Sequence, residues 1–305
     1  MMKRIIKFSF VLLVGAWIPA TAQQEATYAQ YMFNGLAVNP AYAGQHQALS
    51  ATAVSRFQNV GLPGAATTQS FSIHSPLVNE RFAVGALFVN DRLGVINQTV
   101  FSGIYAYRIP VSGGATLSFG IQGGISKYSA KYTQLDTYQT DPAFSQDIVE
   151  MRPNIGAGVY YSSMFGYIGL SMPQMLNNVF SRGVDFTSVK QSSPVILTAG
   201  YVFRISRAVY FKPNTLIKYS DGRFVEMDVN ANFLFDKVLW LGVSYHSSNS
   251  LNFLFQAQLT DQIRIGYSYT TALGKISTVE LGSHEIFLGY IFNFKNKGIV
   301  SPRYF

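Results

Sequence analysis

The chain has no cysteine in its 305 residues. Disulfides, thiol chemistry and cysteine-ligated metal are therefore excluded, and stability must come from burial and hydrogen bonding alone. Charge is scarce as well: Asp, Glu, Lys and Arg make up 12% of the residues, where a soluble domain carries about a quarter. Beyond the N-terminus, no run of ~18 apolar residues exists that could cross a bilayer as a helix. Histidine is limited to His46, His74, His246 and His284. None has a His or carboxylate at metal-ligand spacing, and the HExxH, GxSxG, P-loop and dinucleotide-binding signatures are all missing. The chain is therefore read as non-enzymatic, with no catalytic residue, cofactor or metal. His246 beside Ser247 and Ser248, at a strand end, is the one enzymatic arrangement to name. A rim histidine accounts for it better, because a nucleophile needs an oriented base and a group that orients the base.

The first residues carry an address. Lys3, Arg4 and Lys7 form a basic start, Phe8 to Pro19 an apolar stretch too short to span a bilayer, and Ala20-Thr21-Ala22 a small-residue cleavage site. That is the layout of a secretory signal peptide over residues 1–22, removed on export. The formal charge is +8, and three positive charges leave with the signal, so the mature chain carries +5. The remaining Lys and Arg are scattered without a stripe, which argues against nucleic acid as a partner.

Aromatics are plentiful at 15%, with 19 Tyr, 24 Phe and 26 Gly. After Gln45 the sequence falls into short segments of period two. Val225, Met227, Val229, Ala231, Phe233 and Phe235 oppose Glu226, Asp228, Asn230 and Asn232. Leu251, Phe253, Phe255, Ala257 and Leu259 oppose Asn252, Gln256 and Gln258. Ile263, Ile265, Tyr267 and Tyr269 oppose Arg264, Gly266, Ser268 and Thr270. Leu117, Phe119 and Ile121, then Val195 to Phe203, then Ile286 to Phe294, follow the same rule. Successive side chains on a strand point to opposite faces, so each segment has one apolar and one polar side. Apolar rows ending in Tyr or Phe, set against small and charged residues, fit a transmembrane antiparallel β-barrel with a wet interior better than a soluble sandwich.

About fourteen strands are expected, an even number as bacterial barrels have. Their approximate positions are 47–57, 66–76, 81–91, 97–108, 115–127, 152–162, 165–173, 194–204, 208–219, 224–235, 238–247, 251–259, 262–271 and 284–294. The long connections, at about 58–65, 128–151, 174–193 and 272–283, all follow odd-numbered strands and so share one end. Long loops outside and short turns inside is the outer-membrane pattern, which places both termini in the periplasm. The expected organisation is a signal peptide (1–22), a periplasmic or plug segment (23–45), the barrel (46–294) and a basic periplasmic tail (295–305). Placing Val225 opposite Tyr219 pairs Lys218 with Glu226 and Leu216 with Asp228. Arg204, Lys212, Lys218 and Arg264 then share the lumen with Glu226 and Asp228, as packing pairs in preference to a selectivity filter.

One segment stands apart. Tyr28 to Gly44 reads YAQYMFNGLAVNPAYAG, in which Asn39-Pro40 and Gly44 are turn residues and the aromatics need burial. It belongs against the barrel wall or inside its mouth. The run QYMFN…NPAYAG resembles the N-terminal hallmark of the PorP/SprF family of Bacteroidetes, and Gly169-Leu170-Ser171-Met172-Pro173-Gln174 resembles a second family motif. Gly35 departs from the pattern at a position where proline is more usual. Gly289, Phe292 and Phe294 match the spacing of the C-terminal signal for barrel insertion.

The resemblance implies an outer-membrane component of the type IX secretion and gliding machinery. Its partners would be secreted surface cargo and periplasmic secretion proteins, including peptidoglycan-binding ones. The alternative is a channel or transporter for small solutes. Partner contacts are expected from Tyr31, Phe33, Asn34, Asn39, Pro40 and Tyr42, and from an external loop bearing Tyr132, Asp136, Tyr138, Asp141 and Phe144, since aromatics among charges suit recognition.

The small-residue site predicts a mature N-terminus at Gln23. Intact-mass analysis of protein purified from membranes checks this, and a mature form that retains Lys3 contradicts it.

Overall fold

The computed structural model of the protein describes residues 28–77, 80–135, 146–176, 179–182, 186–190, 193–220, 222–273 and 281–292. The strands are β1 (Leu49–Phe57), β2 (Thr67–Pro76), β3 (Phe82–Leu93), β4 (Ile96–Val111), β5 (Ala115–Ala130), β6 (Ile148–Ser162), β7 (Gly166–Met172), β8 (Val179–Arg182), β9 (Phe186–Lys190), β10 (Val195–Tyr201), β11 (Phe203–Arg204), β12 (Val209–Ser220), β13 (Arg223–Phe235), β14 (Leu239–His246), β15 (Ser250–Gln258), β16 (Ile263–Ala272) and β17 (Ser283–Phe292). β8 and β9 pair only with each other, as a small hairpin within the β7–β10 connection. β10 and β11 are halves of one strand parted at Val202, and both pair with β12. The remaining strands form a single antiparallel ring of fourteen, closed by β1 against β17. Closure leaves no sheet edge inside the hydrocarbon layer, so every backbone group at that depth finds a partner.

The period-two pattern explains which side faces where. On β13, Val225, Met227, Val229 and Phe233 are exposed on the outside, while Glu226, Asp228, Asn230 and Asn232 are buried inside. Phe253, Phe255, Ile265 and Tyr267 likewise point outward. The outer surface is thus an apolar band that meets lipid and the inner surface is polar, as in outer-membrane barrels. Among the described residues no helix is long and apolar enough to cross a membrane.

The register pairs Lys218 with Glu226 and Leu216 with Asp228, but Tyr219 stands opposite Phe224 and not Val225, because the ladder slips by one between Lys218 and Tyr219. Such a bulge inserts an unpaired residue at a strand end. Leu49 opposite Phe292 sets the start of the first strand and the end of the last at the same end of the barrel, with the short turns. The signal peptide, the tail at 295–305 and Phe294 lie outside the described residues.

The wall is uneven. β4, β5 and β6 have 16, 16 and 15 residues, whereas β7 and β10 have seven each. The wall of β4, β5 and β6 therefore rises above β7 and β10 at the loop end. Its upper part carries a small core of Tyr128, Ala130 and Ile148, against which Ile96 and Tyr132 pack. The loop beyond is gathered at its base by Asp147, which accepts from the backbone N–H of Thr133 at 3.0 Å and from its hydroxyl at 2.9 Å. These two bonds hold the Asp147 carboxyl below the usual carboxylate range.

The facing assignment predicts that Val229→Arg, mid-strand on the lipid side, destabilises the barrel by ~2–4 kcal/mol. A polar exchange at the adjacent Asn230 should be much better tolerated. Urea unfolding in lipid vesicles checks the pair, and equal tolerance at both positions contradicts the assignment.

Candidate functional site

The lumen is where the chain gathers its buried groups, and what fills it is the chain itself. Before β1, the residues from Tyr28 to Gly44 run through the inside of the barrel as two 3-10 turns, Tyr31–Phe33 and Pro40–Tyr42, flanking one helical turn, Gly35–Val38. Tyr31, Met32, Phe33, Leu36, Val38, Ala41 and Tyr42 are all buried. The segment passes from the loop-end half toward the turns. Ala29 and Gln30 meet Glu285, the third residue of β17 from the loop end, and Gly44 meets His74 near the turn end of β2.

A segment without regular hydrogen bonding must find partners on the wall, since buried backbone groups are costly when unpaired. The wall supplies them. The Glu285 carboxylate accepts the Ala29 and Gln30 N–H groups at 2.8 and 2.9 Å and also pairs with Arg56 at 3.3 Å. Arg56 and Glu285 are cross-strand neighbours on β1 and β17, so the seam that closes the barrel also grips the inner segment. Asn230 Nδ2 donates to the Tyr31 hydroxyl at 2.7 Å, and Gln256 Nε2 donates to Gln30 Oε1 at 3.2 Å. Asn34 lies between Ser70 and Ser72, donating to the first at 3.4 Å and accepting from the second at 3.2 Å.

At the Asn39-Pro40 turn the two motif segments meet. Asn39 Oδ1 caps its own turn by accepting from Ala41 N–H at 2.9 Å, while Nδ2 donates to the carbonyls of Val159 and Leu170 at 3.0 and 3.4 Å. The Ser171 hydroxyl donates to the Val38 carbonyl at 2.7 Å. Gly120 and Gly158 make this approach possible: a Cβ on Gly120 would collide with the backbone of Pro40 and Ala41, and one on Gly158 with the Asn39 amide. Gly35 has a similar reason, since a Cβ there would strike the Tyr42 ring. Tyr42 itself stands edge-on to His74 and Tyr160, with ring centroids 5.7 and 5.5 Å away.

Two lumen cations frame Phe33. The Lys212 ammonium, wholly buried, lies 5.1 Å from the Phe33 ring centre, 5.6 Å from Trp240 and 5.8 Å from Tyr167. The Arg264 guanidinium lies 5.7 Å from the same Phe33 ring. Desolvated contacts of this kind are worth ~2 kcal/mol or more each. Lys218 Nζ pairs with Glu226 at 2.9 Å, and His246 Nε2 lies 3.1 Å from Glu226 and 4.0 Å from Asp228.

Five of the six lumen charges expected from the sequence are therefore inside. Arg204 is not: it is exposed at the turn end, where its Nε donates to the Ser206 carbonyl at 3.3 Å. The strand parts at Val202 without changing register, so Arg204 stays on the inward face, opposite Tyr210, and is exposed because the strand ends there at the turn.

Tyr31, Phe33, Asn34, Asn39, Pro40 and Tyr42 are buried against the wall, so the partner contacts expected of them are replaced by contacts within the chain. Tyr132 is half-buried at the base of the β5–β6 loop. Asp136, Tyr138, Asp141 and Phe144 lie outside the described residues. Sequence reasoning missed Glu285, Arg56, Trp240, Gly120 and Gly158. Glu285 and Gly120 were visible only as polar-row or small residues.

His246 gains an acid neighbour in Glu226 and a hydroxyl in Ser248, 2.8 Å from its Nδ1. That same Nδ1 already accepts the Ser248 backbone N–H at 3.1 Å, which makes the ring a cap of the β14–β15 turn. Ligand atoms of Glu226, Asp228 and His246 lie within 4.8 Å of one another, but Lys218 Nζ already holds a cation's place at Glu226.

Comparison with known proteins places this barrel. The family model described as type IX secretion system membrane protein PorP/SprF matches residues 20–290. No curated protein matches the chain. Among solved structures, the CymD monoaromatic hydrocarbon channel is similar with TM-score 0.51 at 10% identity, over 85% of this chain and 93% of that one. A FadL homologue of Pseudomonas aeruginosa matches with TM-score 0.48 at 12% identity, over 84% and 93% of the two chains. These likenesses concern the barrel fold.

The lumen packing predicts that Phe33→Ala costs ~3–5 kcal/mol of stability. Gly120→Val should leave the ladder intact but deny the Asn39-Pro40 turn its seat. Limited chymotrypsin digestion of the folded barrel reads this: cleavage within 31–42 is expected in Gly120→Val and not in the wild type. Equal resistance in both contradicts the packing described.

Proposed function

The chain belongs to the PorP/SprF family of type IX secretion system membrane proteins and folds as an outer-membrane β-barrel; on that premise we propose that it is a non-enzymatic docking component of the secretion machinery. The observation that carries this reading is the filled lumen. Tyr28 to Gly44 lies inside the barrel, hydrogen-bonded to side chains and carbonyls of β2, β6, β7, β13, β15 and β17 at its successive turns. A barrel that holds its own chain inside acts through its surfaces. External loops on a rigid scaffold are where binding residues concentrate.

In this reading the loop end faces outward and holds secreted cargo, by its secretion or its attachment at the surface. The turn end, with both ends of the wall, faces the periplasm and meets secretion-system proteins there. Long external loops and short periplasmic turns support that orientation. The β5–β6 hairpin, in the raised part of the wall at its loop end, is the docking element.

Replacing residues 132–147 by a short Gly/Ser turn should leave the barrel inserted and heat-modifiable on a gel while abolishing cargo at the cell surface. Cargo display at the wild-type level in that variant overturns the assignment to this hairpin. Undiminished display after deletion of the whole gene overturns the docking function itself.

A further inference from the structure

The inward carboxylates of the barrel are answered one by one. Glu285 has Arg56 and two backbone N–H groups, Asp91 has the Thr68 hydroxyl, and Glu226 has Lys218 and His246. Asp228 is the exception. It is 6% exposed, and among the described residues no donor reaches its carboxylate within hydrogen-bond distance. The closest cationic nitrogen is His246 Nε2, at 4.0 Å. A buried carboxylate is costly until a positive charge or a set of donors meets it.

The ladder explains why these groups gather. Alternate residues of β13 turn inward, so Glu226 and Asp228 share the lumen face. Asp228 stands opposite His246 on β14, and Glu226 opposite Lys218 on β12. Three strands thus bring four side chains to one place. His246 is the last residue of β14, at the loop end, and its side chain is 21% exposed, so the place can be reached from that end. One inward position further down β13, Asn230 holds the Tyr31 hydroxyl. The cluster therefore sits just above the inner segment.

The donor set is that of a metal centre. Glu226, Asp228 and His246 each offer one atom, and these lie within 4.8 Å of one another. Glu226 Oε1 and His246 Nε2 are 3.1 Å apart. A tetrahedral zinc ion holds neighbouring ligand atoms about 3.4 Å apart, so Asp228 needs to move in by only roughly 1 Å. Lys218 does not fill that position. Its Nζ bonds the other oxygen of Glu226, Oε2, at 2.9 Å, and orients the carboxylate as outer partners of metal ligands do. Two carboxylates and one ammonium leave a net negative charge for the ion. Imidazole with carboxylate suits Zn2+, whereas Ca2+ and Mg2+ take oxygen ligands.

We propose that Glu226 Oε1, Asp228 Oδ2 and His246 Nε2 form a Zn2+ site that pins β13 to β14 at the loop-end mouth of the lumen, with water as the fourth ligand. As the ring stands, His246 Nδ1 accepts the Ser248 N–H, which puts the ring proton on Nε2, facing Glu226. Zinc takes the place of that proton. The proton moves to Nδ1, where Ser248 Oγ, 2.8 Å away, accepts it, and the exposed Ser248 N–H turns to solvent.

Calorimetric titration of Zn2+ into the tag-free mature protein in detergent tests this. One ion per chain is expected. Its affinity should fall by about a hundredfold or more in Asp228→Asn and in His246→Gln, with both variants still heat-modifiable on a gel. His46→Gln and His284→Gln should bind as the wild type does. Absence of saturable binding in the wild type overturns the site, and so does binding that is undiminished in the Asp228 and His246 variants. If either variant fails to insert, X-ray absorption of the zinc-loaded wild type decides. One imidazole nitrogen with oxygen ligands at about 2.0–2.2 Å supports the site. Two imidazoles would place the ion at His46 and His74, whose ring centroids lie 5.3 Å apart, and would overturn it.

Discussion

The seat that Gly120 and Gly158 leave for Asn39, Pro40 and Ala41 is the contact on which the interior depends. A fourteen-strand ring encloses more space than its own small inward residues fill. Here many of those residues are Ser, Thr, Asn and Gly, too short to meet across the lumen. The inner segment supplies the missing bulk, with four aromatic residues, Tyr28, Tyr31, Phe33 and Tyr42, and it brings polar backbone that the wall must satisfy. Glu285 answers at one end of the segment, and Ser171 and His74 at the other. Glu285 does so from the seam at which the first and last strands meet. The seam that closes the wall and the segment that fills it thus share one carboxylate.

The buried charges have the same logic. Lys212 and Arg264 are costly inside a protein unless compensated. Both face Phe33 on the inner segment; on the wall Lys212 meets Trp240 and Tyr167, and Arg264 Nε donates to Gln258 Oε1 at 2.9 Å. The Lys218–Glu226 pair is a cross-strand neighbour on one hairpin, satisfied within the wall itself. These groups contact the inner segment and pair across the wall.

Much of this was legible in the sequence because a half-buried strand writes its two faces directly into alternate residues. Outward Phe253, Phe255, Val229 and Phe233, and the Lys218–Glu226 register, could be read in that way. Alternation fails where the ladder does. The slip between Lys218 and Tyr219 moved Phe224 opposite Tyr219, and it leaves no mark in residue type. Arg204 keeps the inward parity of its strand, opposite Tyr210, but the strand ends there and leaves it exposed at the turn. The β8–β9 hairpin was read as loop because its strands are four and five residues long. The inner segment could be placed in the lumen from its aromatics and its turn residues, but its seat could not, since glycine on an inward face reads only as a small residue until something is found packed on it. The two motif segments, Asn39-Pro40 and Gly169 to Ser171, lie far apart in the chain, and only the fold shows that they touch.

The central claim is that the barrel is closed by its own N-terminal segment and acts through its surfaces. Planar-bilayer recording tests this most directly. The intact mature protein should show no steady conductance, while a variant lacking residues 28–44, provided that it inserts, should open an ion-conducting lumen. Steady ohmic conductance from the intact protein, matching that of the deleted form, would contradict the account.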